Sequence, residues 1–241
     1  MKLFFSIFAS AVIFGAFLYP ELPPSIPSHW NSGWEADAFL PKSIGFLIIP
    51  VIMLWLGLLM YNLPNVDGRI RRFSLYYELF IIMLMLFLLQ LHVEVLLYAV
   101  GKGVPMHIPL SVGSGILLFT AGILLGKSRR NWFVGIRTPW SFGSERNWES
   151  THWLASRLFM LSGIIALMGF FFPSAAVYLI AVPVVLSAII SVAYSYYEHK
   201  KEESEKIGTP YEMPLLEPEF SSGRPGGRRA ARPIRGRRRG N

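Results

Sequence analysis

The chain has no cysteine among its 241 residues, which excludes disulfides, thiol catalysis and zinc held by thiolates. It is also poor in charge, with 16% Asp, Glu, Lys and Arg against 53% hydrophobic residues; globular domains carry about 25% charged residues. Its five histidines (His29, His92, His107, His152 and His199) are scattered, and none pairs with another at i and i+4 beside a glutamate, the spacing a zinc hydrolase needs. There is no Gly-x-Ser-x-Gly elbow and no Gly-rich loop ending in Lys-Ser/Thr. Acyl transfer, nucleotide hydrolysis and metal hydrolysis are therefore unsupported, and the chain reads as a non-enzyme without cofactor or metal.

What the sequence does have is long apolar runs. About 18 apolar residues are enough to cross the bilayer core as a helix. Six such runs can be placed, at Leu3–Tyr19, Ile44–Leu63, Ser74–Val100, Ile108–Gly126, Trp153–Phe172 and Ser174–Tyr197. The fold class is an all-α integral membrane protein with six transmembrane helices, located in the cell membrane as a multi-pass protein. The first run resembles a secretory signal, but Phe17, Leu18, Tyr19 and Pro20 do not form a small-residue cleavage site, so a retained anchor is expected.

Positive residues beside a span resist translocation. The segment after the first run has Lys42 against Glu21, Glu35 and Asp37, whereas the next carries Arg69, Arg71 and Arg72. The third has only Lys102, and the fourth holds Lys127, Arg129, Arg130, Arg137 and Arg146. This alternation puts both termini in the cytoplasm. Residues 20–43 become an extracellular cap loop and residues 127–153 a cytoplasmic loop.

The net charge of +8 is concentrated at the end of the chain, where 11 of the 23 Lys and Arg follow Tyr197 and Phe220–Asn241 has eight arginines and no acid. A six-helix domain over 1–200 followed by a disordered basic tail over 201–241 is the expected division. The tail's expected partner is anionic lipid. A nucleic-acid partner is disfavoured, because no aromatic follows Phe220 for base stacking.

The third run contains Gln90, His92 and Glu94. Ionisable groups in a span are costly and face a protein interior or water. Gln90 and Glu94 share a helix face, while His92 is turned by roughly 200° from Gln90. These residues motivate the alternative reading, a small proton-coupled transporter or exporter.

Two loops are long enough to carry function. The first, "LPPSIPSHWNSGWEADAFLPK" (22–42), is stiffened by prolines, has a turn at Asn31-Ser32-Gly33, and offers Trp30 and Trp34 as headgroup anchors. His29, Glu35 and Asp37 are of metal-binding type, but one loop with no supporting ligands reads better as a structural cap. The second loop, "GKSRRNWFVGIRTPWSFGSERNWESTHWLASRLF" (126–159), has a basic cluster, an aromatic-rich centre and a helical stretch from Ser144 that leads into the fifth run. A membrane-surface helix and a docking surface are both compatible with it.

These two loops resemble the paired signatures of the SdpI family of membrane immunity proteins. Pro27, His29, Trp30, Asn31, Gly33, Asp37 and Lys42 match the first, and Gly135, Ile136, Arg137, Thr138, Pro139, Trp140, Trp148, Thr151 and His152 match the second. The resemblance extends over roughly Met1–Lys200, departing in the Arg-rich tail and in Trp34 and Glu35 after the glycine. It implies non-enzymatic immunity against a secreted, membrane-active toxin peptide outside the cell. It further implies that a cytoplasmic repressor can be held at the membrane from inside.

Overall fold

The computed structural model describes residues 2–208. Of the tail expected to be disordered over 201–241, residues 201–208 are helical, as the end of the last helix, and the rest lies outside the described residues.

Among the described residues, seven α-helices and one hairpin follow in order: α1 (Lys2–Leu18), β1 (Ser25–Trp30), β2 (Ala36–Pro41), α2 (Lys42–Val66), α3 (Ser74–Ala99), α4 (His107–Lys127), α5 (Pro139–Gly143), α6 (Glu145–Leu167) and α7 (Ala176–Gly208). Six helical segments are long and apolar enough to cross a membrane. Their outward faces carry Ile13, Phe17, Val51, Trp55, Leu75 and Ile189, all exposed. Such surfaces are stable against lipid tails and unstable in water, and helical segments satisfy their backbone hydrogen bonds internally, as hydrocarbon requires.

Two expected boundaries move. The fifth span was placed from Trp153, but α6 begins at Glu145. Ser144 caps it by accepting the Asn147 N–H at 3.3 Å, so the amphipathic stretch and the span are one continuous helix rather than a surface helix followed by a crossing. The sixth was expected to end at Tyr197, and α7 continues to Gly208. Polar bonds to the start of α6 hold the extension: Ser144 Oγ donates to Glu202 Oε1 at 2.9 Å, and Arg146 pairs with Glu205.

The helices form two groups. In the first, α1, α2 and α3 enclose Ile7, Ala11, Met53 and Met85. In the second, α4 lies against α6 and α6 against α7. The α4/α6 approach depends on glycine. A Cβ at Gly122 would lie 2.7 Å from the Met160 nitrogen and Ser156 carbonyl oxygen, and one at Gly163 would lie 2.6 Å from the Gly115 carbonyl oxygen. Helix association in lipid relies on such close packing and on interhelical hydrogen bonds. Ser187, Ser191 and Ser195 provide a buried polar stripe along α7, with Ser162 Oγ on α6 lying 2.8 Å from Ser187 Oγ. The groups meet along α3 and α4, and Ile70, Phe73, Tyr77 and Leu124 form the core at one end of that seam.

Candidate functional site

The first motif folds as an antiparallel hairpin, β1 pairing with β2 from Ser25↔Pro41 to Trp30↔Ala36, with irregularities around His29. Its base is anchored in the bundle by Ile26, buried with Leu18, Leu22 and Leu96. Pro27 is buried beside it. Lys42 closes the base, its Nζ 3.4 Å from the Leu22 carbonyl and 4.7 Å from the centre of the Tyr19 ring. Asn31 builds the tip: its Oδ1 accepts the Gly33 N–H at 2.9 Å and the Glu35 N–H at 3.1 Å. His29 and Asp37 face each other across the strands, Nδ1 to Oδ1 2.6 Å, and both are exposed.

The two tryptophans, expected as headgroup anchors, make contacts with the bundle. Trp30 packs edge-on against Tyr98 of α3 with its indole nitrogen buried. Trp34 adopts φ +66°, uncommon for a bulky residue. Its Nε1 donates to the Pro173 carbonyl at 2.7 Å, and its ring lies 6.0 Å from that of His107 at the start of α4. The hairpin therefore folds back on the bundle and bridges the two helix groups, which turns both indoles inward.

The second motif lies at the opposite end and is largely a buried scaffold. Asn131, fully buried, shapes the loop: its Nδ2 donates to the Arg129 and Val134 carbonyls, and its Oδ1 accepts the Phe133 and Val134 N–H groups. Asp67 ties this loop to the end of α2. It accepts two hydrogen bonds from the Arg69 guanidinium at 2.8 and 3.0 Å, and its Oδ2 accepts the Trp132 N–H at 2.9 Å. The Arg69 bonds hold the Asp67 carboxyl below its ordinary pKa, against the opposing effect of burial.

At the centre of the motif, Gly135 has φ +121°, and a Cβ there would lie 2.3 Å from His152 Nε2. Only glycine fits this left-handed, crowded position. His152 Nε2 accepts the Ile136 N–H at 2.9 Å, so its Nδ1 carries the proton and donates to the Trp148 carbonyl at 2.8 Å. With both nitrogens engaged and its ring stacked 4.0 Å from that of Trp148, this imidazole is a strut. Thr138 and Ser141 form a capping box that starts α5 with Pro139 in its first turn. Thr138 Oγ1 also meets Ser195 Oγ on α7 at 2.9 Å. Thr151 donates to Asn147, whose amide donates to the Ser195 carbonyl. Trp140 packs edge-on against Tyr196. Trp132 (58% exposed), Phe133 and Arg137 lie on the surface of the loop, as do Lys127 and Trp153; Arg129 and Arg146 are also exposed but ion-paired, to Glu149 and Glu205.

The intramembrane polar residues do not form a chain. Gln90 donates to the Pro109 carbonyl of α4 at 2.9 Å. His92 is buried on the other side of α3 against Ala11 and Gly15 of α1, and one carboxylate oxygen of Glu94 is buried without a partner. Among the described residues no hydrogen bond joins these three, and no cluster of His, Asp and Glu could hold a metal ion.

Residues 127–195 match the model of the SdpI/YfhL protein family, and residues 6–54 match a domain of unknown function, DUF1648. The immunity protein SdpI of Bacillus subtilis (strain 168) is 32% identical over 185 residues, which cover 76% of this chain and 88% of that protein. The chain belongs to the SdpI family. No solved structure matches it. This SdpI-family chain is a non-enzymatic, multi-pass protein of the cell membrane. The SdpI/YfhL match contains the whole scaffold from Asn131 to His152 and its partner Ser195, whereas the DUF1648 match contains the hairpin.

Sequence reasoning missed Asp67, Asn131, Ser141 and Ser195. Two signals were available: the Ser187, Ser191, Ser195 spacing of four on an apolar helix, and an acid, Asp67, beside the three arginines of its loop.

Proposed function

We propose that this SdpI-family protein protects its cell against a secreted, membrane-active toxin peptide, with the hairpin as the face that meets the toxin outside and the loop of residues 127–153 facing the cytoplasm. The reading is supported by the relative's name, an immunity protein, and by the charge alternation along the loops. The observation that carries it is the strained Trp34 seated on Pro173. Backbone strain held by a specific tertiary bond is a feature of binding and switching elements. The hairpin exposes His29, Asp37 and Phe39 to a ligand, while Trp34 connects it to the turn between α6 and α7. Those helices run to the opposite loop, where Thr138 and Asn147 hold Ser195.

In this reading Trp132, Phe133 and Arg137 form the surface that holds a cytoplasmic repressor. A ligand at the hairpin alters that surface only if it binds two arrangements of α6 and α7 with different strength. The test is survival of toxin-sensitive cells expressing the full chain. Protection by the wild-type protein, lost in His29→Ala/Asp37→Ala at unchanged membrane abundance, is the expected result. Survival no better than that of cells carrying an empty vector, with the protein present in the membrane, would remove the immunity reading.

A further inference from the structure

A groove of about 350 Å³ lies between α4 and α6 at the end of the bundle that carries the second motif. Gly126 keeps it open, since a Cβ there would sit 2.6 Å from Ser156 Oγ. Three polar side chains line it: Lys127, the last residue of α4, and Ser156 and Arg157 of α6.

Each is unusual for its setting. Several helical hydroxyls here bond back to the carbonyl four residues earlier, as Ser114, Thr120, Ser162 and Ser191 do. Ser156 is only 7% exposed, lines the groove, and has no such bond. Arg157 lies within a span, yet it has no acidic partner among the described residues; its guanidinium stacks 3.5 Å from the centre of the exposed Trp153 ring and donates one N–H to the Trp153 carbonyl. Lys127 likewise has no ion pair, its Nζ standing 5.7 Å from the centre of the Tyr76 ring. No carboxylate lines the groove, and its floor is completed by Ile123 and Met160.

We propose that this groove binds the headgroup phosphate of an anionic phospholipid, held by Lys127, Arg157 and the Ser156 hydroxyl, with an acyl chain lying along Ile123 and Met160. Helical side chains lean toward the helix N-terminus, so Arg157 reaches back along α6 toward the level of Lys127, where long cationic side chains meet headgroups. Two cations without an acid favour a net-negative headgroup, because nothing in the groove would receive the ammonium of a zwitterionic one. The apolar floor favours a lipid over a free phosphate. The site is independent of the immunity reading and of the tail.

The test is native mass spectrometry of the full chain in mild detergent, titrated with phosphatidylglycerol, with phosphatidylcholine of the same chains, or with soluble glycerol phosphate. The wild-type protein retains phosphatidylglycerol preferentially, Lys127→Gln/Arg157→Gln weakens it about tenfold, and Ser156→Ala weakens it less. Glycerol phosphate does not compete. Arg71→Gln/Arg72→Gln, which removes equal charge at the same end of the bundle, leaves affinity unchanged. Equal binding of both lipids, competition by glycerol phosphate, or equal losses in the two double variants would each overturn the proposal. Unchanged helical circular dichroism and melting of the variants show that any loss is not unfolding.

Discussion

The indole N–H of Trp34 donates to the carbonyl of Pro173 at 2.7 Å, joining the hairpin near the start of the chain to the turn between the last two membrane helices. The bond connects the part of the chain matched by DUF1648 to the helices matched by the SdpI/YfhL model. Trp34→Phe keeps the ring and removes the donor, and is expected to cost about 1 kcal/mol of hairpin docking. Hydrogen exchange of amides 25–41 in detergent should be faster by the corresponding several-fold, with α2 and α3 unchanged.

Gly135→Ala combines a left-handed backbone with a Cβ 2.3 Å from His152 Nε2. The Gly143 Cβ position is open. Gly135→Ala should therefore lower thermal stability by about 1–3 kcal/mol or prevent folding, whereas Gly143→Ala should be neutral, as read by a melting scan of both purified variants.

His152→Ala strips the Ile136 N–H of its acceptor and leaves a void beside Trp148. A buried unpaired donor costs about 1–3 kcal/mol. His152→Gln can restore an acceptor and should recover part of the loss, a pattern expected of a strut and not of a proton carrier.

Asp67 gives a pH signature. Its carboxyl is held below its ordinary value of 3.8 by Arg69. The resulting stabilisation is therefore fully present above that value and is lost as pH falls through the lower folded-state value. The melting-temperature gap between wild type and Asp67→Asn should be constant from neutral pH to about pH 5. It should close only in stronger acid; a gap that closes near neutrality would show that another group is responsible.

Because the chain has no cysteine, orientation can be read with single introduced thiols. Glu35→Cys should react with an impermeant maleimide on intact cells, and Ser150→Cys only after permeabilisation. The reverse pattern would invert the topology proposed for both loops.

Six spans were legible because hydrocarbon demands long apolar runs, and such runs survive in a single sequence. The helical stretch from Ser144 was legible too, but the extension of α7 to Gly208 was not. Glu198 to Glu205 is polar enough to read as tail, and its helix is tied down by bonds from Ser144 and Arg146 at the start of α6 to Glu202 and Glu205. The motif residues were legible as a set, but their division of labour was not: Thr138, Trp148, Thr151 and His152 are buried supports, while Arg137 is exposed beside Trp132 and Phe133, which lie outside the matched positions.

The sequence by itself determined the membrane class, the number of spans and the absence of thiol chemistry, and marked out the two motif-bearing loops, since these depend on composition, run length and local turn residues. Tertiary structure alone decided that the hairpin bridges two helix groups through Trp34, that Gln90 and His92 serve different helix contacts, and that Asp67 and Ser195 anchor the opposite loop. Those outcomes depend on partners distant in sequence, whose meeting is set by how the helices pack and not by any local pattern.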